Sequence, residues 1–124
     1  MYYSNDKPAQ RKALNVTLYP FEIKDANGRQ IYHEDSNGYW GKAEWGKNGF
    51  WWKSKYNSKD RQTYFENSEG FWWKSEYSND GLNETYFENS EGYWWKREYN
   101  SEGDEIYYEN SKGKIIDKRP KLLS

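Results

Sequence analysis

One imidazole stands in this sequence, His33 in IYHEDSNG, followed directly by Glu34 and Asp35. An imidazole beside carboxylates is the raw material of general acid–base catalysis. Nothing completes such a site. The chain has no cysteine, no second histidine, no Ser/His/Asp spacing and no glycine-rich phosphate loop. His33 ends a strand-like run, where a solvated, turn-flanking side chain is expected. The 20 Asp and Glu residues occur at many separations, so paired-carboxylate hydrolysis is open on spacing alone. They recur with a repeat, however, as solvent-face charges do. The expectation is a non-enzymatic protein with no catalytic residue, no metal site and no cofactor.

The aromatic residues make a sharper case. Trp, Tyr and Phe number 8, 13 and 5, and lysines alternate with them, as Trp72 with Lys74 and Trp94 with Lys96. Rings so placed either cover a sheet that lacks aliphatic side chains or form a platform for a partner: protein, sugar or stacked bases. Trp40, Trp51, Trp72 and Trp94 admit both readings, since one face can be core and the other platform. Charge bears on the choice. Residues 25–111 carry 10 basic and 17 acidic side chains, whereas residues 1–24 and 112–124 are net basic. An acidic body opposes direct phosphate binding along the sheet. It suits an encounter with a partner's basic surface.

The elements that position these residues follow from turn signals: DANG at Asp25, DSNG at Asp35, GKNG at Gly46, NSKD at Asn57 and NSEG at Asn67, then SNDG at Ser78, NSEG at Asn89 and Asn100, and NSKG at Asn110. A spacing of 10 or 11 residues throughout predicts about ten short strands in consecutive hairpins, a repeat of 21–22 residues. Asn, Asp or Ser at the first position accepts bonds from the backbone ahead of it. Gly at the fourth permits positive φ, as in a type I turn followed by a left-handed residue. Asp60 is a tolerable substitute for that glycine. Gly46 departs at its first position and marks the least regular hairpin.

Between turns the pattern alternates. Phe71, Trp73, Ser75 and Tyr77 share an aromatic face, while Trp72, Lys74 and Glu76 share a mixed one. In the next unit Tyr93, Trp95, Arg97 and Tyr99 oppose Trp94, Lys96 and Glu98. ETYFE places Thr85 and Phe87 on one side, with Glu84, Tyr86 and Glu88 on the other. Folding it back across NSEG sets Phe87 beside Trp95 and Tyr86 beside Lys96, with unequal turn lengths setting the register. Pro20 cannot donate to a ladder, so the first strand belongs at a sheet edge. The predicted fold is all-β, an open antiparallel meander over residues 17–117. Residues 1–16 form an N-terminal segment with a short helix in DKPAQRKALN, and residues 118–124 form a frayed basic tail.

A mean hydropathy of -1.43 would suggest disorder, but disordered chains are poor in aromatic residues. No run approaches the roughly 20 apolar residues of a membrane-spanning helix. No secretory pattern opens the chain, so a cytoplasmic protein without membrane association is expected. Exposed sheet edges leave dimerisation by strand pairing open.

The stretch EGFWWKSEYSNDGLNETYFENSEGYWWKREYNSEGDEIYYENSKG resembles variant MORN and YD-type hairpin repeats, and the likeness spans about residues 18–117. That resemblance implies hairpin arrays with binding or structural roles. The aromatic repeats of choline- and cell-wall-binding modules are also similar, but their Gly-Trp and Met positions are missing here. ENSEGYWWKREY, from Glu88 to Tyr99, further resembles small proteins of bacteriophages and mobile elements. Among these are anti-CRISPR inhibitors of a type VI-B, RNA-guided RNA nuclease. This likeness implies a phage-encoded inhibitor acting in the host cytoplasm. It would bind a CRISPR effector nuclease and interfere with its use of guide or target RNA, touching RNA at most weakly or indirectly. It carries over no catalytic residue. The alternatives are a carbohydrate- or wall-binding module and a structural repeat protein. The expected partner-binding residues are Trp72, Lys74, Tyr86, Trp94, Lys96 and Glu98 on the mixed face, with Arg119 and Lys121 from the tail.

Overall fold

The computed structural model describes residues 20–120. Ten strands follow one another: β1 Phe21–Lys24, β2 Gln30–Glu34, β3 Trp40–Trp45, β4 Trp51–Tyr56 and β5 Gln62–Asn67, then β6 Trp72–Tyr77, β7 Glu84–Asn89, β8 Trp94–Tyr99, β9 Glu105–Asn110 and β10 Ile115–Asp117. They lie side by side in chain order in one antiparallel sheet. Among the described residues β1 takes one edge, as Pro20 predicts, and β10 the other, with no pairing between them to close the meander. No α-helix occurs among the described residues. The helix expected in DKPAQRKALN lies outside them, as does Lys121.

The turns show why this sequence makes hairpins. In eight of nine, the N–H of the fourth residue donates to the carbonyl of the first, as Gly92 does to Asn89 at 3.1 Å. The Asn89 side chain then takes two more donors, with Oδ1 accepting from Glu91 N–H at 3.0 Å and Tyr93 N–H at 3.2 Å. The same pair of bonds recurs at Asp25, Asn57, Asn67, Asn100 and Asn110. Gly92 sits at φ 87° and Asp60, in the equivalent place, at φ 62°. The carboxylate of Asp60 accepts from Trp40 Nε1 at 2.9 Å, a contact that glycine could not make. The β3–β4 hairpin is the irregular one. Gly46 N–H donates to Phe50 at 2.7 Å, and Asn48 and Gly49 take φ of 63° and 80°.

Register shifts by one residue at Ile23/Lys24, Lys55/Tyr56, Glu76/Tyr77 and Glu98/Tyr99. These bulges, more than turn length, absorb the inequality between neighbouring hairpins. One of them corrects the face assignment above: Glu84 faces Tyr77 across the bulge and its carboxylate accepts from the Ser75 hydroxyl. Glu84 therefore lies on the aromatic face, away from Tyr86 and Glu88.

The aromatic face is a ladder of rings. Phe21, Tyr32, Trp40 and Tyr56 follow at centroid distances of 5.6, 5.9 and 4.0 Å, the last pair tilted by only 8°. Trp73, Phe87, Trp95 and Tyr108 continue it at 5.9, 6.0 and 6.5 Å. Each such pair contributes roughly 0.5–1.5 kcal/mol beyond its area. Strands in substantial contact are all consecutive, so no second layer is built from the described strands. Among the described residues the buried apolar ones, Tyr32, Trp40 and Ala43, all lie in β2 and β3. From β5 onward the rings of the ladder are half-buried.

Candidate functional site

The mixed face gathers seven of the eight expected contact residues. Trp72 and Lys74 come from β6, Tyr86 from β7, and Trp94, Lys96 and Glu98 from β8. Arg119 reaches the same face from beyond β10. Alternation places the six strand residues there, since they occupy positions of one parity in adjoining strands, whereas Arg119 is held there by its own contacts. Tyr86 faces Lys96 and Phe87 faces Trp95 across the ladder, as the hairpin reading predicts.

The three cations among these residues are each paired within the face. Lys74 Nζ lies 2.7 Å from Glu88, and that bond holds its pKa above the ordinary lysine value. Lys96 Nζ lies 3.2 Å from Glu109. A hydrogen bond from Tyr107 at 2.8 Å, then Lys96, lowers the Glu109 pKa. Arg119 is not frayed: its guanidinium lies 4.2 Å from the Tyr107 ring centroid, 3.2 Å from Glu98 and 2.8 Å from Asp117. These pairs are partly exposed, so each fixes geometry more than it adds stability.

His33 differs from its expected role. It lies within β2, half-buried, and faces Gly41 of β3. A methyl group at Gly41 would come within 2.3 Å of the imidazole, so this glycine serves a close approach. Burial lowers the pKa of His33, with Lys55 acting the same way and Asp35 and Glu22 opposing. A depression of about 620 Å³ beside it is lined by Phe21, Glu22, Asp35 and Lys55, among others. No hydroxyl nucleophile lines it. Among the described residues no cluster of three or more His, Asp or Glu is placed to hold a metal ion, and no helix is long and apolar enough to cross a membrane.

Three further features were hidden in the repeat. The hydroxyls of Tyr77 and Tyr99 donate to the carbonyls of Gln62 and Glu84, each at 2.9 Å and each at a bulge. Ser68, Ser90 and Ser111 exchange bonds with the backbones of Trp51, Trp72 and Trp94. Finally, charge divides the body itself. Residues 20–61 carry 8 basic and 6 acidic side chains, whereas residues 62–110 carry 3 and 12. The first two depend on long-range register. The third could have been found by counting half-sheets separately. No protein-family model and no curated protein matches this sequence.

Proposed function

We propose that this chain is a non-enzymatic binding protein that docks a protein partner on the mixed face of its sheet, in the half from β5 to β10. The observation that carries the reading is the contiguity of Trp72, Lys74, Tyr86, Trp94, Lys96 and Glu98 on adjoining strands, joined by Arg119 through Glu98, on a sheet with no second described layer. Trp, Tyr and Arg concentrate binding energy at interfaces. The acidity of residues 62–110 favours encounter with a basic surface.

The resemblance of Glu88–Tyr99 to phage inhibitors supplies the finer form. In it the partner is an RNA-guided nuclease of a bacterial defence system, met in the host cytoplasm. Occupancy of its basic RNA-binding surface interferes with guide or target RNA.

Purified type VI-B nuclease, with and without guide RNA, is the direct test. A complex that weakens with salt and is lost in the Trp94→Ala/Glu98→Lys variant is expected. No complex at low salt overturns the nuclease reading. A carbohydrate-binding role rests on the half-buried Trp51, Trp72 and Trp94, each opening a long strand on this face. Soluble glycans would then quench tryptophan fluorescence, and a flat titration across a glycan panel removes that alternative.

A further inference from the structure

Three hairpins set a tyrosine at the same place on the mixed face. Tyr64 faces Lys55, Tyr86 faces Glu76 and Tyr107 faces Glu98. Two of the three rings carry a cation. Lys55 Nζ stands 5.4 Å from the Tyr64 centroid, and the Arg119 guanidinium 4.2 Å from that of Tyr107 while it bonds Glu98. Among the described residues, no cation lies over Tyr86. The neighbouring lysines are turned elsewhere, Lys74 to Glu88 and Lys96 to Glu109 and the Trp94 ring. Glu76 is exposed and has no ion pair among the described residues. The repeat has thus copied the ring and the Glu98 carboxylate of the Arg119 site, but neither the arginine nor Asp117, in whose place opposite the ring stands Lys96.

We infer that Tyr86 and Glu76 form a receptor for a guanidinium group, presented by an arginine on the surface of a protein partner. The inference rests on the protein-binding reading above and names the chemistry of that partner. Arginine fits better than lysine for a reason visible elsewhere on the sheet. The two closest cation–ring contacts are both arginines, Arg97 on Trp95 at 4.1 Å and Arg119 on Tyr107 at 4.2 Å. The lysines stand 5.0–5.8 Å from their rings. A planar guanidinium can lie on a ring while its N–H groups bond a carboxylate in the same plane; an ammonium cannot do both as well. The surrounding strands supply the complementary field, with 3 basic against 12 acidic side chains over residues 62–110.

The test is a titration of the full, isotope-labelled chain with tri-arginine and with tri-lysine peptides, read by NMR at the tyrosine rings and glutamate carboxylates. Saturable shifts centred on Tyr86 and Glu76 are expected, with tri-arginine favoured about two- to fivefold. Tyr86→Leu and Glu76→Gln should each abolish them, the latter an exposed change that leaves packing untouched. Arg119→Ala should open a second response at Tyr107, Glu98 and Asp117, at least as strong as that at Tyr86. Equal response to tri-lysine, shifts centred elsewhere, or binding that survives Glu76→Gln overturns the inference. So does a tighter response at Tyr86 to a short single-stranded RNA. A nuclease complex indifferent to Glu76→Gln would sink this site and leave the proposed function standing. Tri-arginine seated at Tyr86 with no nuclease complex would sink the nuclease reading and leave this site standing.

Discussion

The hydroxyl of Tyr99 donates to the backbone carbonyl of Glu84 across 2.9 Å, from β8 to the start of β7. Glu84 sits where the β6–β7 ladder slips by one residue. A bulge disrupts ladder bonding locally, and the phenol supplies a donor at that point. One repeat earlier Tyr77 does the same for Gln62. The tyrosine closing each of these long strands thus stitches the preceding bulge, and hairpins are joined by more than ring packing.

Removing either hydroxyl tests the stitch. Tyr99→Phe and Tyr77→Phe should each cost about 1 kcal/mol, the usual worth of one hydrogen bond. Because the two hydroxyls bond different carbonyls, the double variant should be near the sum, with any departure reporting coupling through Glu84, which Tyr77 faces across the ladder. Urea midpoints at constant m would show it. No loss in either variant would mean that water serves those carbonyls equally well.

Gly41 offers a steric test. A methyl there would meet the His33 imidazole at 2.3 Å and the Ser54 carbonyl at 2.9 Å. Gly41→Ala should therefore destabilise by about 1–3 kcal/mol, as overpacking does. His33→Ala in the same chain should recover part of the loss, the backbone contact accounting for the rest. Full recovery would place all the strain on the imidazole.

The same imidazole sets a pH dependence. Burial, with Lys55, lowers its pKa below the usual 6.5, against the pull of Asp35 and Glu22. The folded state therefore prefers neutral His33. Its contribution is present above the unfolded-state pKa and is lost as pH falls through the folded one. The lowered carboxylate pKa values of Glu22, Asp25, Asp80 and Glu109 act in a more acidic window, beginning near their ordinary values of 4.5 and 3.8. Stability should thus decline between pH 7 and 5 in the native chain and stay flat there in His33→Gln, measured by thermal melts.

What the sequence reveals follows from which interactions are local. The Phe87–Trp95 and Tyr86–Lys96 pairs were legible because turn position and two-residue alternation determine them together. Asp60 could be assigned positive φ from its place in the repeat. The side of Glu84 was not legible, because a bulge inserts a residue and reverses parity beyond it. The role of His33 depends on a glycine across the ladder, which no local pattern announces. Trp72, Lys74, Tyr86, Trp94, Lys96 and Glu98 share one face as alternation predicts. Their pairing as Lys74–Glu88, Lys96–Glu109 and Glu98–Arg119 was not read, because each bond joins different strands and needs an exact register.

Two of the three NSEG tetrapeptides make that limit measurable. NSEG occurs at Asn89 and at Asn100, and each asparagine caps its own turn in the same way. The serines differ. The β6–β7 ladder runs to the last residue of β7, pairing Trp73 with Asn89, so Ser90 lies opposite Trp72. Ser90 Oγ accepts from Trp72 N–H at 3.2 Å, and Ser90 N–H donates to the Trp72 carbonyl at 2.9 Å. At the other end, the β7–β8 ladder stops at Tyr86 and Lys96, short of Tyr99, and Ser101 meets no such strand. Ser90→Ala should therefore lose about 0.5–1.5 kcal/mol, while Ser101→Ala should stay within about 0.5 kcal/mol of the native chain. Equal effects in urea unfolding would mean that the turn alone, and not the ladder behind it, determines what its serine does.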